Sequence, residues 1–304
     1  MRNTFVVLAM CALVGGLVGA VVAGTGPDLY IPYIDPGRVT LDGLGTEWED
    51  PTFYSQDFMM TRDDLGGNVT GGDLPPVDDW DAILYLGWSA SPDNMLYGFS
   101  RVSDDLLNDE AARNGDAWRD DCLEVIIDGD NSGGNYREGY AIHNENAQQF
   151  AIRMTEAPLP PGPGDPEEKT TWYIYANPDA KWMTAPEYFQ AALMYPEGRE
   201  NVTYAYEWKI AIWDQGGASA GESQRHINQV GDVIGLVIQW DDSDAELDKR
   251  DDQPGTEGPE GNKSWTDADH LNDAYLVENP LYPVGTVATA VEPTGWGAVK
   301  ASFK

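Results

Sequence analysis

Between residues 204 and 212 the chain reads Tyr-Ala-Tyr-Glu-Trp-Lys-Ile-Ala-Ile, with large apolar side chains at Tyr204, Tyr206, Trp208, Ile210 and Ile212 and charges at Glu207 and Lys209 between them. A repeat of two gathers all five apolar groups on one face of a strand, and no helix can do the same. It predicts an amphipathic strand, one face in a core and the other polar. Similar short aromatic or β-branched runs, each closed by turn formers, recur at 83–88, 95–102, 122–127, 148–154, 172–176, 189–195 and 233–240. Ser91-Pro-Asp-Asn94 is a hairpin connection between the first two. No long stretch repeats apolar residues at i, i+3, i+4 and i+7, so few helices are expected. The fold class is therefore all-β, an antiparallel β-sandwich. One large domain suffices, because sandwiches commonly exceed 200 residues undivided. Three stretches rich in Gly, Pro and acidic residues, 63–79, 157–168 and 243–262, read as long surface loops.

The richest stretch is 117–131, Ala-Trp-Arg-Asp-Asp-Cys-Leu-Glu-Val-Ile-Ile-Asp-Gly-Asp-Asn. Alternation sorts its strand into Leu123, Val125 and Ile127 on one face and Cys122, Glu124 and Ile126 on the other. A carboxylate in such a run must reach a partner, a ligand or water, since an unpaired buried charge is very costly. Glu124 is thus the first candidate ligand-binding group. Beyond it, Asp128-Gly-Asp-Asn-Ser-Gly-Gly134 sets oxygen side chains ahead of glycine, which suits a hard cation. Asp128, Asp130 and Asn131 are candidate ligands for a structural calcium. An ordinary Asp/Asn/Gly turn is the competing reading, and Gly139 at the twelfth position argues against an EF-hand. Asp104, Asp105, Asp241, Asp242 and Asp244, at strand ends, are further candidate ligands.

Residues 1–23 place Arg2 ahead of an apolar run rich in small residues, the pattern of a secretory signal peptide. A membrane anchor is the alternative. Cleavage near Ala23 makes the protein secreted, extracellular or periplasmic, with no membrane insertion afterwards. It leaves Cys122 as the only cysteine, so core packing, metal or both must hold the exported fold. The expected domain spans 24–283, and 284–304 is a tail whose 295–303 segment reads as an edge strand or a partner-holding segment. The chain carries 18 basic against 52 acidic residues, a net −34; without Arg2 the balance is 17 against 52, or −35. Such charge excludes duplex nucleic acid and anionic lipid surfaces as partners.

Trp118, then Asp121, then Glu124 on a strand ending Ile127-Asp128 resembles the central motif of family 9 carbohydrate-binding modules, in the DOMON-like, jelly-roll β-sandwich group. Other landmarks fall in the same order: Val39-Thr-Leu-Asp-Gly-Leu-Gly-Thr-Glu-Trp48, then Leu84-Tyr-Leu-Gly-Trp88, Asn94-Met-Leu-Tyr97 and Val102-Ser-Asp-Asp105, and at the end Asn262-Lys-Ser-Trp265. The resemblance runs from about Val39 to about Val277. It implies non-catalytic binding of an oligo- or polysaccharide, with a sugar held between Trp118 and Trp265 and its hydroxyls met by Glu124 and Asn262. It also implies an arginine on the 148–154 strand. Its aligned place is Ala151, and Arg153 lies two residues on, on the same face. Calcium in that family is structural.

Enzyme motifs are missing from the sequence. There is no H-E-x-x-H and no G-x-S-x-G, and 52 acids make any carboxylate pair uninformative. Two non-catalytic readings follow: a carbohydrate-binding module, serving a cell-surface or enzyme partner, or a cell-surface structural or interaction protein that keeps the sandwich without the sugar. Haem held by Met59 or Met60 with a histidine is a weaker third.

Overall fold

The computed structural model describes residues 26–67, 73–137, 145–156, 168–175, 178–244, 249–257, 263–282 and 284. Asn262, the segment 1–23 and the tail from 285 lie outside these residues. In chain order the strands are β1 (Leu29–Pro32), β2 (Met60–Thr61), β3 (Gly66–Gly67), β4 (Trp80–Trp88) and β5 (Leu96–Leu106). Next come β6 (Cys122–Asp128), β7 (Gln148–Arg153), β8 (Trp172–Ile174), β9 (Phe189–Met194) and β10 (Glu200–Ile210). The last are β11 (Trp213–Gln215), β12 (Gln224–Arg225), β13 (Val233–Asp241), β14 (Pro254–Gly255) and β15 (Asn272–Val277). Every helix among the described residues is a short 3-10 turn.

Two sheets face each other. One runs β1-β15-β13-β6-β7-β8, with β14 and β3 attached beside β13, and the other runs β2-β4-β5-β10-β9. All these pairings are antiparallel except β1 with β15. Leu123, Val125 and Ile127 of β6 point inward, in one apolar core with Leu84, Leu86, Tyr204, Tyr206 and Trp208 of the opposite sheet. Aromatic pairs bridge the layers: Trp80 meets Trp240 at 5.4 Å between ring centres, and Phe150 meets Phe189 at 5.4 Å. The Trp240 indole N–H also donates to Ser100 Oγ at 3.1 Å, so the buried indole is satisfied. The expected hairpin joins β4 to β5, with Trp88 opposite Leu96 and Asn94 at φ 57, a conformation asparagine tolerates.

Two features depart from the sequence expectation. The edge strand β1 and its partner β15 carry no clear alternation signal: β1 is four residues long and ends in Pro32, which an edge strand accommodates. More telling, the second face of β10 is covered at Glu207. Glu207 is fully buried, beneath the segment that holds the Asp42-Gly43 turn and Trp48. Its Oε1 accepts the Trp48 indole N–H at 3.0 Å, and its Oε2 accepts the N–H groups of Asp42 and Gly43 at 3.0 and 2.9 Å. Gly43, at φ +79, lies where a Cβ would meet the Leu193 carbonyl carbon at 2.5 Å, so only glycine closes this clamp. Burial pushes the Glu207 carboxyl up to about 7, against the pull of those donors.

Glu207→Gln turns one acceptor oxygen toward donors as an amide, so it should cost about 1–3 kcal/mol in urea unfolding. The folded carboxyl holds its proton up to about 7, whereas the unfolded one titrates near 4.5. Protonation therefore favours the native state of the wild type alone, and its margin over the variant should widen as pH falls through that window. Equal unfolding midpoints for the two proteins would remove Glu207 from this role.

Candidate functional site

The outer face of β6 and its neighbours forms the floor of a cavity of about 380 Å³, within the roughly 300–1,000 Å³ usual for small-molecule sites. Gln239 of β13 stands directly opposite Glu124, and on the other side Ala151 of β7 does so. Gln149 lies two residues from Ala151 on the same face and reaches Glu124 diagonally. Glu124 Oε2 accepts the amide N–H of Gln149 at 3.0 Å and that of Gln239. Two neutral donors thus keep a carboxylate that is only 1% exposed in a fixed pose, one that borders the cavity. Ala151 adds no bulk, and Tyr175, whose N–H donates to the Gln149 carbonyl at 2.9 Å, also borders the cavity.

Trp118 and Trp265 form walls from separate loops. Trp118 lies in a 3-10 turn, Asn114–Arg119, whose buried Asn114 donates to Thr170 Oγ1 at 3.0 Å and accepts the Thr170 N–H at 2.9 Å. Trp118 leans on Ala117, Cys122, Ala151 and Tyr173 and remains half-buried. Trp265 is 40% exposed. Its loop is knitted to the 134–137 loop: the Tyr136 hydroxyl donates to the Ser264 carbonyl at 2.7 Å, and Ala268 N–H donates to the Gly134 carbonyl at 2.8 Å. That second loop delivers Arg137, whose guanidinium stands 4.8 Å from the Trp265 ring centre.

A third side comes from the chain after β13. Arg250 and Gln253 border the cavity, and both donate to Asp241 Oδ1, at 2.6 and 2.9 Å. Burial and the nearby Glu124 push the Asp241 carboxyl up, and Arg250 pulls it back. The Arg250 guanidinium also stands 5.9 Å from the Trp118 ring centre. The site therefore offers two indoles, one phenol ring, one carboxylate, three primary amides and two guanidinium groups.

Of the candidates read from sequence, the structure brings Trp118, Glu124 and Trp265 together, and Asn262 is outside the described residues. Arg153 is placed elsewhere. It shares the expected strand face, but its guanidinium is fully buried, donates to Asp120 Oδ2 and the Ala111 carbonyl, and borders no part of the cavity. Asp120, itself buried, captures it, so Arg153 fixes the turn that carries Trp118 rather than meeting a ligand. Gln149 and Gln239 were missed although polar amides inside apolar strands are the signal that singled out Glu124. Arg137 and Arg250 sit in loops, where no periodicity reports direction. The Asp128 loop lies beyond the end of the same strand, outside the cavity lining.

The chain matches the family model described as carbohydrate family 9 binding domain-like over residues 88–279, and it belongs to that family. The match begins at Trp88, after the Val39–Trp48 motif. A family 9 carbohydrate-binding module from Caldicellulosiruptor kristjanssonii, solved with cellotriose, superposes with a TM-score of 0.52 at 14% identity, over 88% of this chain and 100% of that one. The glucose complex of a module of that family from the same organism gives 0.52 at 14% identity, over 86% and 100%. These likenesses establish the fold. No curated protein matches the chain.

Removing Arg153 should leave Asp120 as an unpaired buried charge. Arg153→Met is expected to cost about 3–5 kcal/mol in urea unfolding, and a loss below ~1 kcal/mol would show that the pair does not anchor this wall.

Proposed function

We propose that this cavity binds a saccharide, non-catalytically, with one sugar ring stacked between the faces of Trp118 and Trp265 and its hydroxyls bonded by Glu124, Gln149, Gln239, Arg137 and Arg250. The carrying observation is that two tryptophans from separate loops flank a buried carboxylate held by amides at the edge of a cavity. A pyranose has apolar C–H faces and a polar rim, and these groups complement both. Among the described residues Glu124 is the only carboxylate in the lining, whereas glycoside hydrolysis generally uses two; this supports binding over catalysis. Residues 1–23 would direct the protein out of the cell as a signal peptide.

Magnitudes assign the work. Two indole faces removing on the order of 100 Å² of apolar surface from water supply about 2.5 kcal/mol, whereas micromolar affinity needs about 8 kcal/mol. Hydrogen bonds to charged groups, about 1.5–3 kcal/mol each, make up the difference. Trp118→Ala and Trp265→Ala should each weaken binding about tenfold, and Glu124→Gln about 10–100-fold. The test is a tryptophan-fluorescence titration with cellobiose and xylobiose, the four proteins compared by calorimetry. No response of the wild type across a panel of neutral oligosaccharides would overturn the reading.

A calcium ion at the Asp128 loop is a separate part of this proposal. Asp128 Oδ1 and Asn131 Oδ1 are buried with no hydrogen-bond partner, and Asn131 Oδ1 lies 3.1 Å from where a Cβ on Gly235 would sit. These oxygens fit a hard cation. Asp130 instead uses Oδ1 to accept the Ser132 N–H at 3.2 Å. Calcium should raise the wild-type melting temperature, and Asp128→Asn should lose part of that rise; an unchanged rise would place the ion elsewhere.

A further inference from the structure

On one side of the sandwich the two sheets end in β1 and β2, and residues of both border a second cavity, of about 200 Å³. It shares no lining residue with the first. Ile31, Phe58, Met59, Met60 and Leu86 give it apolar surface, and Asp28, Asp57 and Asp64 border it as well. These three aspartates are exposed, and among the described residues no Lys, Arg or His forms an ion pair with any of them. Asp64 Oδ2 accepts the N–H and the hydroxyl of Thr61 at 2.9 and 3.0 Å, which fixes its turn beside β2. The cavity falls below the roughly 300–1,000 Å³ of small-molecule sites, so it suits one large side chain rather than a free ligand.

A segment of complementary chemistry starts on the same side. β15 ends with Val277 opposite Pro32 of β1. Beyond it Asn279 Nδ2 donates to the Tyr33 carbonyl at 2.9 Å, the Tyr282 hydroxyl donates to the Phe53 carbonyl at 3.0 Å, and Val284 packs on the core. The chain thus leaves the described residues beside Tyr33 and Phe53, a few positions along the same two segments that border the cavity at 27–31 and 57–60. Residues 293–304, Pro-Thr-Gly-Trp-Gly-Ala-Val-Lys-Ala-Ser-Phe-Lys, hold Trp296, Lys300, Phe303 and Lys304 and no acid, in a chain with 52 of them. Residues 285–295, between Val284 and Trp296, span up to about 36 Å when extended, whereas β1 is only about 10 Å long from Pro32 back to Leu29. The segment reaches the cavity without crossing to the far side of the sandwich.

We propose that residues 293–304 dock in this cleft, with the Trp296 ring filling the cavity between β1 and β2 and with Lys300 and Lys304 meeting Asp28, Asp57 and Asp64. An indole is matched to the Met59 and Met60 thioethers, since sulfur–aromatic contacts are favourable. The lysines carry their charge on long stems to a rim of carboxylates that the described residues leave without a cation. Docking also covers the free edges of β1 and β2, which otherwise stand open to pairing with other chains. The cleft does not depend on what the first cavity binds.

The test uses the full chain, without sugar. Met59 and Met60 report the cleft through their oxidation by dilute peroxide, followed residue by residue by mass spectrometry. Half-buried Met194, on β9 at the other end of its sheet, is the control. Trp296→Ala should speed sulfoxidation of Met59 and Met60 about fivefold or more and leave Met194 unchanged. The double variant Lys300→Glu, Lys304→Glu should speed it in the same direction, and so should added salt in the wild type, which screens the pairs. Carbodiimide coupling in a mixture of heavy- and light-isotope chains should join Lys300 or Lys304 to Asp28, Asp57 or Asp64 within one chain. Equal oxidation rates in wild type and Trp296→Ala, coupling of these lysines chiefly to other carboxylates, or coupling between heavy and light chains would each overturn the proposal, the last by giving the cleft to a second copy.

Discussion

The register of β6 between β13 and β7 couples the stability of this protein to its site. Alternation sends Leu123, Val125 and Ile127 into the core and Glu124 to the outer face, where Gln239 and Gln149 receive it. A slip of one residue would bury the carboxylate in the sandwich and put three aliphatic side chains under the cavity. The apolar residues that specify the core therefore also specify where the carboxylate stands, and no separate device is needed to place it. The glutamines matter for the same reason. A charged partner would neutralise Glu124, whereas two amides hold its orientation and leave its charge to face the cavity.

This coupling explains what could be read from the residues alone. Strand β10 announces itself through a period of two, the other strands through short aromatic or β-branched runs closed by turns, and Glu124 stands out as an intruder in an apolar run. Trp118 and Trp265 stand out because they sit in polar turns rather than apolar runs. Side chains on loops carry no such mark. Arg137 reaches the cavity because the Tyr136 hydroxyl and Gly134 carbonyl pin its loop to the one bearing Trp265, a contact between segments 128 residues apart. Arg153 misled for the complementary reason: strand position fixed its face, but Asp120, on a different segment, decided where its guanidinium went. Glu207 likewise looked solvent-facing until the Asp42–Trp48 segment folded over it.

An acidic chain with a net charge of −34 must still settle each buried carboxylate individually, and it does so in three ways. Glu124 and Glu207 are met by neutral N–H donors, which fix geometry without cancelling charge. Asp120 and Asp241 are met by guanidinium groups, Arg153 and Arg250. Asp242 and Asp244 are met by neither: the Oδ1 of each is buried without a hydrogen-bond partner, and the two carboxylates lie close together. Glu124 supplies the cavity floor, and the pairs Arg153–Asp120 and Arg250–Asp241 brace the Trp118 turn and the Arg250 side.

Arg250 is where these solutions meet, and its geometry limits what the cavity can do by stacking alone. Its guanidinium is bonded to Asp241 at 2.6 Å and stands 5.9 Å from the Trp118 ring centre, so one side chain is held by a buried anion while bordering an aromatic wall. Stacking yields about 2.5 kcal/mol for two indole faces, too little for tight binding, and it scarcely distinguishes one pyranose from another. Discrimination must come from donors and acceptors at fixed distances around the rim, since a misplaced hydroxyl leaves a buried polar group unpaired. Gln149, Gln239 and Glu124 are fixed by strand pairing and Arg137 by its knitted loop. Arg250 stands on the chain after β13, and its bond to Asp241 ties it to the same strand that carries Gln239.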